Sequence, residues 1–498
     1  MQINTLYYGD CLTIMREKME AGSVDLVYLD PPFNSKKDYN AIYKDETGRP
    51  LPDQVEAFTD TWELSNERLR TIRNMLVLLR EYEVDEHDAN FLASFISSLV
   101  NSQSDMAAYL AYMTERLLEI KRVMKDTATV YLHCDPTASH YLKIAMDVVF
   151  GKDNFLNEVI WHYKRWTATA KRFQRMHDCI LWYSKTTTHK FTQPLQPYSD
   201  EKWIEDTVRG VVDGKLVRLK DSEGKYIKRK EQRGGVLMHD VWHDINFIAP
   251  TSRERLGYPT QKPVKLLERI ISASSDSGDV VFDPFCGCAT SIEAAEKLNR
   301  KWIGIDITIH AVRRVARLRL QDRLHLKEGE DYVIDGVPQN WEGAHHLWEQ
   351  DPYQFQKWCV EQVEGFVNVK RTADEGIDGR IYFDMSGVNV LQSMALEVKG
   401  GENVGINAIR SLNSVLQFEN IQMAGLIMLH DLGIRQAKNF KETMALAGDV
   451  EIDGKSYPKL QMLTVREILE GKRFDMPQPV GRTKSGYDSD LINHPISN

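Results

Sequence analysis

Four short apolar runs in this chain each stop at an aspartate. The run at 3–8 ends on Gly9-Asp10, the run at 24–29 on Asp30-Pro31-Pro32-Phe33, the run at 279–282 on Asp283-Pro284, and the run at 301–305 on Asp306. Stretches rich in Val, Ile, Tyr and Phe and bounded by Gly, Pro and Asp read as strands, and two prolines in a row cannot continue a central ladder. Further strands are expected at 128–132, 159–161 and 179–183, the last two as a pair. Helices fall between them: a long helical region from about 64 to 125, an amphipathic helix with Leu266, Leu267, Ile270 and Ile271 on one face, one helix over 291–298 and one over 310–324. Strands alternating with helices predict an α/β fold built on a doubly wound, mostly parallel sheet. In such a sheet ligands sit beyond the carboxyl ends of the strands, near the switch point. One strand-terminal aspartate is an ordinary turn residue; four along one edge make a site.

At 498 residues the chain is too long for one ordinary core. The strand–helix unit closes near 325, and 326–350 reads as a connector with turn signals at Asp335-Gly336 and Pro338. A second αβ pattern runs over 351–472, its opening helix carrying Phe355, Cys359, Val363 and Phe366 on one face. A tail over 473–498, with Pro477, Pro479, Gly481 and Pro495, reads as extended. No run approaches the roughly 18 apolar residues of a membrane helix. The first residues lack the basic-then-apolar pattern of a secretory signal. A soluble, cytoplasmic protein without a membrane partner is expected. The cysteines at 11, 134, 179, 286, 288 and 359 stand singly apart from Cys286-x-Cys288, which gives neither a disulfide framework nor a zinc site.

The net charge of −9 conceals a strong asymmetry. Between His162 and Gly235 stand 17 Lys and Arg against 9 Asp and Glu, a surplus of +8 that leaves −17 on the remainder. A basic segment inside an acidic chain is the footprint of a localised polyanion site. Lys164, Arg165, Lys171, Arg172 and Arg175 form its first cluster, and Lys228, Arg229 and Arg233 belong to its second. His177-Asp178 and His239-Asp240 read as structural hydrogen-bonding pairs.

Asp30-Pro31-Pro32-Phe33, Tyr258-Pro259-Thr260-Gln261-Lys262-Pro263 and Phe282-Asp283-Pro284-Phe285-Cys286-Gly287 together resemble the motifs of S-adenosylmethionine-dependent DNA amino-methyltransferases, over about residues 1–325. The catalytic motif precedes the cofactor motif, the permuted order of the beta group. The resemblance implies a Rossmann-like sheet, S-adenosyl-L-methionine as cofactor and double-stranded DNA as partner. It implies Asp30, Pro31, Pro32 and Phe33 as catalytic residues. Acceptors aimed at an amino group's hydrogens localise its lone pair for in-line attack, and Phe33 offers a stacking face to an extruded base. For the cofactor it implies Asp10, Thr260, Lys262, Asp283, Phe285, Gly287 and Asp306, with Asp10 near the adenine, Asp306 on the ribose hydroxyls, and Thr260 and Lys262 near the carboxylate. The basic segment takes the place of the family's target-recognition region. Asp-Pro-Pro-Phe goes with adenine more often than with cytosine. Carbon-5 methylation is disfavoured, because it needs a nucleophilic cysteine in a Pro-Cys dipeptide, which this chain lacks. The family's second loop glycine is Ala289 here, which tolerates a positive φ less well.

In the second unit, Asp378 follows Gly376-Ile377 and precedes Gly379, and Glu397 and Lys399 share one face of an expected strand. This resembles the Mrr-type group of the restriction-endonuclease-like fold. The resemblance implies Asp378 and Glu397 as ligands of Mg²⁺, Lys399 beside the attacked phosphate, and a further carboxylate from Glu361 or Glu364. Oxygen ligands suit a hard cation. Two outcomes are open at this level, a module that cuts DNA and one that only grips it. Whether the chain acts alone or as a homodimer is equally open.

Overall fold

The computed structural model describes residues 2–479 apart from 33–37, 42–54, 60–63, 165–172, 197–203, 213–214, 232–235, 250–251, 253, 257–260, 308–310, 313–318, 369–375, 387–390 and 419–420. The main sheet of the first unit is built from β1 (Thr5–Tyr8), β2 (Val24–Leu29), β3 (Met124–Cys134), β4 (Phe155–His162), β5 (His177–Ser184), β6 (Val241–Trp242), β7 (Val280–Asp283), β8 (Lys301–Asp306) and β9 (Val333–Asp335). They form one sheet in the order β6-β4-β5-β3-β2-β7-β8-β1-β9. Only β5 runs against its neighbours β3 and β4; the other described pairings in this sheet are parallel. The expected pair at 159–161 and 179–183 is present, with Val159 opposite Ile180.

Helices cover both faces: α1 (Cys11–Lys18), α2 (Asn66–Glu81), α3 (Glu86–Leu99), α4 (Ser104–Val123), α5 (Ser139–Phe150), α6 (Val264–Ser274) and α7 (Thr290–Lys297). Along β2 the faces alternate. Leu26 and Tyr28 join the core beneath α6 and α7, while Val27 and Leu29 join the core beneath α2 to α5. Every residue of β2 is buried, as expected of a central parallel strand covered on both sides. The single long helical region of the sequence reading is three helices. Asp85, whose carboxylate accepts from the His87 and Asp88 amides, starts α3 afresh. The expected helix over 310–324 lies partly outside the described residues; its described end, Arg319–Arg323, is a π-helical turn.

The second unit is a five-stranded sheet of β10 (Phe366–Val367), β11 (Gly379–Phe383), β12 (Gln392–Lys399), β13 (Ile421–Met428) and β14 (Leu460–Thr464), in that order. The first three alternate in direction and the last three are parallel. Around it lie α8 (Trp341–Gln350), α9 (Pro352–Gln362), α10 (Asn407–Val415), α11 (Ile434–Ala445) and α12 (Val465–Leu469). The segment expected as a connector supplies β9, an edge strand of the first sheet, and α8. One apolar core runs from Trp302 and Tyr332 through Val337 and Ala344 to Phe355 and Trp358, so the units share an interior. Within it the Tyr8 hydroxyl donates to Gln354 Oε1 at 3.0 Å. The tail also begins packed, with Phe474 buried and the Asp475 amide donating to Gln461 Oε1. Residues 480–498 lie outside the described ones.

Candidate active site at the carboxyl edge of the first sheet

The strands β2, β7, β8 and β1 are neighbours and parallel, so the residues that end them fall along one edge. Asp30, Asp283, Asp306 and Asp10 therefore line a single cleft. Pro32, Lys262, Phe285 and Gly287 line it too. Pro31 is buried beside Asp30. Phe33 and Thr260 lie outside the described residues.

The four carboxylates are held differently. Asp10 Oδ1 caps α1, accepting from the Leu12 and Thr13 amides at 3.0 and 3.3 Å, and Oδ2 pairs with the Arg116 guanidinium. Both oxygens are thus engaged by protein, which leaves less of Asp10 for a ligand than the sequence reading assigned. Asp30 receives Lys262 Nζ on both oxygens, at 2.7 and 2.6 Å. Lys262 was expected at a cofactor carboxylate; here its ammonium sits on the expected catalytic acid. Asp306 Oδ2 accepts from the Gly287 amide at 2.9 Å, which ties the β8 end to the turn after β7. Asp283 accepts from the Phe285 amide at 3.0 Å and from the Ser291 hydroxyl. Burial pushes its carboxyl up to about 7, the charges of Asp30 and Asp306 add to the rise, and the two hydrogen bonds oppose it.

The turn after β7 makes the wall facing Asp30. Gly287 has φ +48°, and Ala289, the residue in place of a glycine, has φ 58° and ψ 35°. That left-handed conformation costs an L-residue roughly 1–2 kcal/mol. It brings the Ala289 amide to the Cys286 carbonyl at 2.7 Å and starts α7.

Sequence reasoning missed part of the lining. Tyr112 lines the cleft from α4, and behind it on the same helix the Arg116 guanidinium, the partner of Asp10, stacks 3.3 Å over the Tyr112 ring. The available signal was an arginine inside the buried stripe of Tyr109, Met113, Leu117 and Ile120, a place where charge is costly unless paired. Tyr28 was missed as well, although it lies two residues before Asp30 on the same face of β2. Its hydroxyl is 2.9 Å from His133 Nδ1, His133 Nε2 is 3.1 Å from Asp178 Oδ2, and the Tyr163 hydroxyl donates to Asp178 Oδ1. The structural role expected of Asp178 is this chain of hydrogen bonds. Burial opposes ionisation of Asp178, but the His133 bond and charge prevail and hold its carboxyl below the usual range.

Of the basic residues, Lys164 and Arg175 flank the point where β4 leaves and β5 enters, the same edge that carries the cleft. Lys164 is exposed, and Arg175 donates to Thr137 Oγ1 at 2.9 Å. Lys228 is exposed on the Lys228–Glu231 strand, which pairs with Ile204–Thr207. Arg165, Lys171, Arg172 and Arg233, and the side chain of Arg229, lie outside the described residues.

An N6/N4 DNA methylase family model matches residues 24–317, more than half of the chain. The chain belongs to that family. It is 27% identical over 258 residues to the type II methyltransferase M.EcaI of Enterobacter cloacae, covering 42% of this chain and 57% of that protein. To M.HpaI of Haemophilus parainfluenzae it is 30% identical over 267 residues, covering 54% and 74%. The chain thus spans a little over half the length of the first of these relatives. Among solved structures, the cytosine-N4-specific PvuII DNA methyltransferase is 13% identical with a TM-score of 0.36, covering 62% of this chain and 84% of that one. The family match takes in Asp30, Lys262, Asp283, Gly287 and Asp306, and begins after Asp10.

The second acidic group lies beyond the matched residues. Asp378 precedes β11, and Glu397 and Lys399 lie on the adjoining β12. Asp378 Oδ2 accepts from the Val398 amide at 2.7 Å, and Glu397 Oε1 pairs with Lys399 Nζ at 2.6 Å. Glu361 turns its charge toward Tyr8 of the first unit. Among the described residues no three His, Cys, Asp or Glu side chains are placed to hold a metal ion. The expected Mg²⁺ ligands Asp378 and Glu397 thus stand without a third such side chain among the described ones. No helix among them is long and apolar enough to cross a membrane.

Proposed function

We propose that the chain is a DNA methyltransferase that moves a methyl group from S-adenosyl-L-methionine to an exocyclic amino group of a base in double-stranded DNA, adenine N6 in preference to cytosine N4. The observation that carries this reading is the convergence of Asp30 and the Gly287 turn on one cleft in a chain of the DNA methylase family. The cofactor supplies a methyl bound to a positively charged sulfur. The residues present suit it: a tight turn of backbone at Gly287, an acid at the end of the next strand for hydroxyl groups, and four carboxylates against one lysine around the cleft.

An exocyclic amino group is a weak nucleophile because its lone pair is delocalised into the ring. Asp30 Oδ and the Pro31 carbonyl accept from its two hydrogens and localise that pair toward the donor, which is orientation joined to fixed electrostatics. Phe33 stacks on the extruded base. Asp306 takes the ribose, and Thr260 and Lys262 take the carboxylate of the methionine part, with Lys262 exchanging between that carboxylate and Asp30. The catalytic strand β2 precedes the cofactor strand β7 in sequence, in keeping with the permuted beta-group order. The adenine preference rests on the Asp-Pro-Pro-Phe motif. The basic segment, anchored beside the cleft through Lys164 and Arg175, contacts the duplex.

The second unit we read as restriction-endonuclease-like in topology, supported by Asp378 and Glu397 on adjoining strands. It is a module that grips DNA, and no hydrolytic step is derived for it, since its described carboxylates are committed to Val398 and Lys399. Transfer of labelled methyl to DNA, followed by nucleoside analysis, tests the whole reading. N6-methyladenine is expected with the wild type and none with Asp30→Ala. N4-methylcytosine would overturn the base assignment, and equal label in the variant would overturn the catalytic one.

A further inference from the structure

Three of the cleft's carboxylates have evident work, as helix cap, as catalytic acceptor and as tie to the glycine turn, whereas Asp283 does not. It lies at the floor of the cleft, 3% exposed, at the end of β7. Its partners are neutral, the Phe285 amide and the Ser291 hydroxyl. Among the described residues it has no ion-pair partner, although Asp10 and Asp30 each face a cation in the same cleft. The charged groups that line the cleft with it are Asp10, Asp30, Asp306 and Lys262, and Lys262 is bonded to both oxygens of Asp30. Tyr28, Tyr112, Cys286 and Cys288 are the titratable groups that complete its surroundings. Burial raises the thiol of Cys286 and the phenols of Tyr28 and Tyr112, so these add no negative charge near neutrality.

A buried acid without a cation is costly to ionise. It becomes cheap to ionise when a ligand brings a positive charge into the same low-dielectric space. The methyl donor and its demethylated product have the same amino-acid, ribose and adenine groups. They differ in one methyl and in the charge on sulfur, cationic in the donor and neutral in the product. Hydrogen bonds to the shared groups cannot tell them apart, but a carboxyl that ionises only opposite a cation can.

We propose that Asp283 is the specificity-determining residue by which this cleft favours the sulfonium donor over its thioether product, the carboxyl giving up its proton as the cationic ligand enters and regaining it once the methyl has left. The inference rests on the reading of the cleft as a cofactor site. The step balances: neutral Asp283 and the cationic donor give an ion pair and one proton released to solvent. Transfer of the methyl removes the positive charge on sulfur, leaving the amino group's charge as in the donor, and the carboxylate recovers a proton as product departs. The preference then acts in the useful direction, since it tightens on the donor and loosens on the product.

The experiment is calorimetric titration of the full chain with S-adenosylmethionine and, separately, with S-adenosylhomocysteine, from pH 5.5 to 8.5 in buffers of different ionisation enthalpy. The amino and carboxyl groups common to both ligands cancel in the comparison. Donor binding is expected to release up to one proton below about pH 7. Its affinity should rise by as much as about tenfold per pH unit there and level off above, as linkage to one ionisation requires. Product binding should lack that component. Asp283→Asn should abolish the donor's extra pH dependence and narrow the donor-to-product ratio. Should that variant fail to fold, Ser291→Ala serves instead, because losing the hydroxyl that favours the anion should move the donor's midpoint to higher pH. Equal pH dependence for both ligands, or an unchanged donor slope in Asp283→Asn, would overturn the proposal while leaving the cofactor reading intact. Absence of binding by either ligand would overturn the cofactor reading, and this inference with it.

Discussion

The molecule contains two acidic groups at strand ends or on adjoining strands, and they have been put to different use. At the edge of the first sheet, four carboxylates converge on open space, and Asp283 is left without a counter-charge. In the second unit, Asp378 and Glu397 are closed off by neighbours from their own sheet. The first group rests on three linked motifs, the second on one short pattern. What separates them is their surroundings: the four acids of the first unit line a shared cleft, and the two of the second make their described bonds within their own sheet. A shared opening, more than the number of bonds each acid makes, marks the first group.

That contrast can be broken most decisively by substituting one acid from each group. Asp30→Ala is expected to lower methyl incorporation into DNA by at least about 100-fold, the size of effect seen when a preorganised transition-state contact is lost. Asp378→Ala should leave incorporation within a few-fold of wild type. Unmethylated plasmid incubated with Mg²⁺ should remain intact with either protein on a gel. Fragments produced by the wild type and lost in Asp378→Ala would show that the second group is open after all.

A smaller effect concerns stability. Because the Asp283 carboxyl sits near 7 in the folded chain and near 4 when unfolded, the unfolded state ionises first as pH rises. The stability it confers is complete below about pH 4 and is lost progressively up to about pH 7. Without ligand, denaturant melts should show the wild type losing roughly 2–3 kcal/mol more than Asp283→Asn between pH 5 and pH 8. A parallel loss in the two proteins would mean that the acid is not strained. Smaller again, Lys228→Ala should weaken DNA binding modestly and reduce the slope of log affinity against log salt by about 0.9, one phosphate's worth. An unchanged slope would remove Lys228 from the footprint. Least of all, Ala289→Gly should change stability by under about 1 kcal/mol in a chemical melt. Relief of the left-handed strain is offset by glycine's freedom in the unfolded chain.

Much of the first site was legible because its pattern is local. Asp-Pro-Pro and Asp-Pro-Phe mark strand ends whatever lies elsewhere, and parallel neighbours put those ends together. Long-range partners were not legible. Nothing in the order of residues announces that Arg116, over a hundred positions along the chain, neutralises Asp10, or that Lys262 lands on Asp30 rather than on a ligand. Such pairings depend on helix placement, which periodicity alone does not supply. The elements inside 326–350 were hard to read for a related reason. Pro338 and Asp335-Gly336 are true turn signals, but three residues before them suffice for an edge strand. The helix after them is amphipathic enough to need a partner surface. The tail misled because prolines describe backbone stiffness and say nothing of a lone Phe474 finding a pocket against Gly425.

The bond between Tyr8 and Gln354 bears on how freely a chain like this can be recombined. Tyr8 ends the strand that leads into Asp10, so a shortened protein stopping before Pro352 would strand that phenol in an apolar interior and bare the surface around Trp302 and Tyr332. Swapping the back half for that of a cousin would demand matching atoms on both sides of the seam. The two halves behave as one inheritance, not as interchangeable parts.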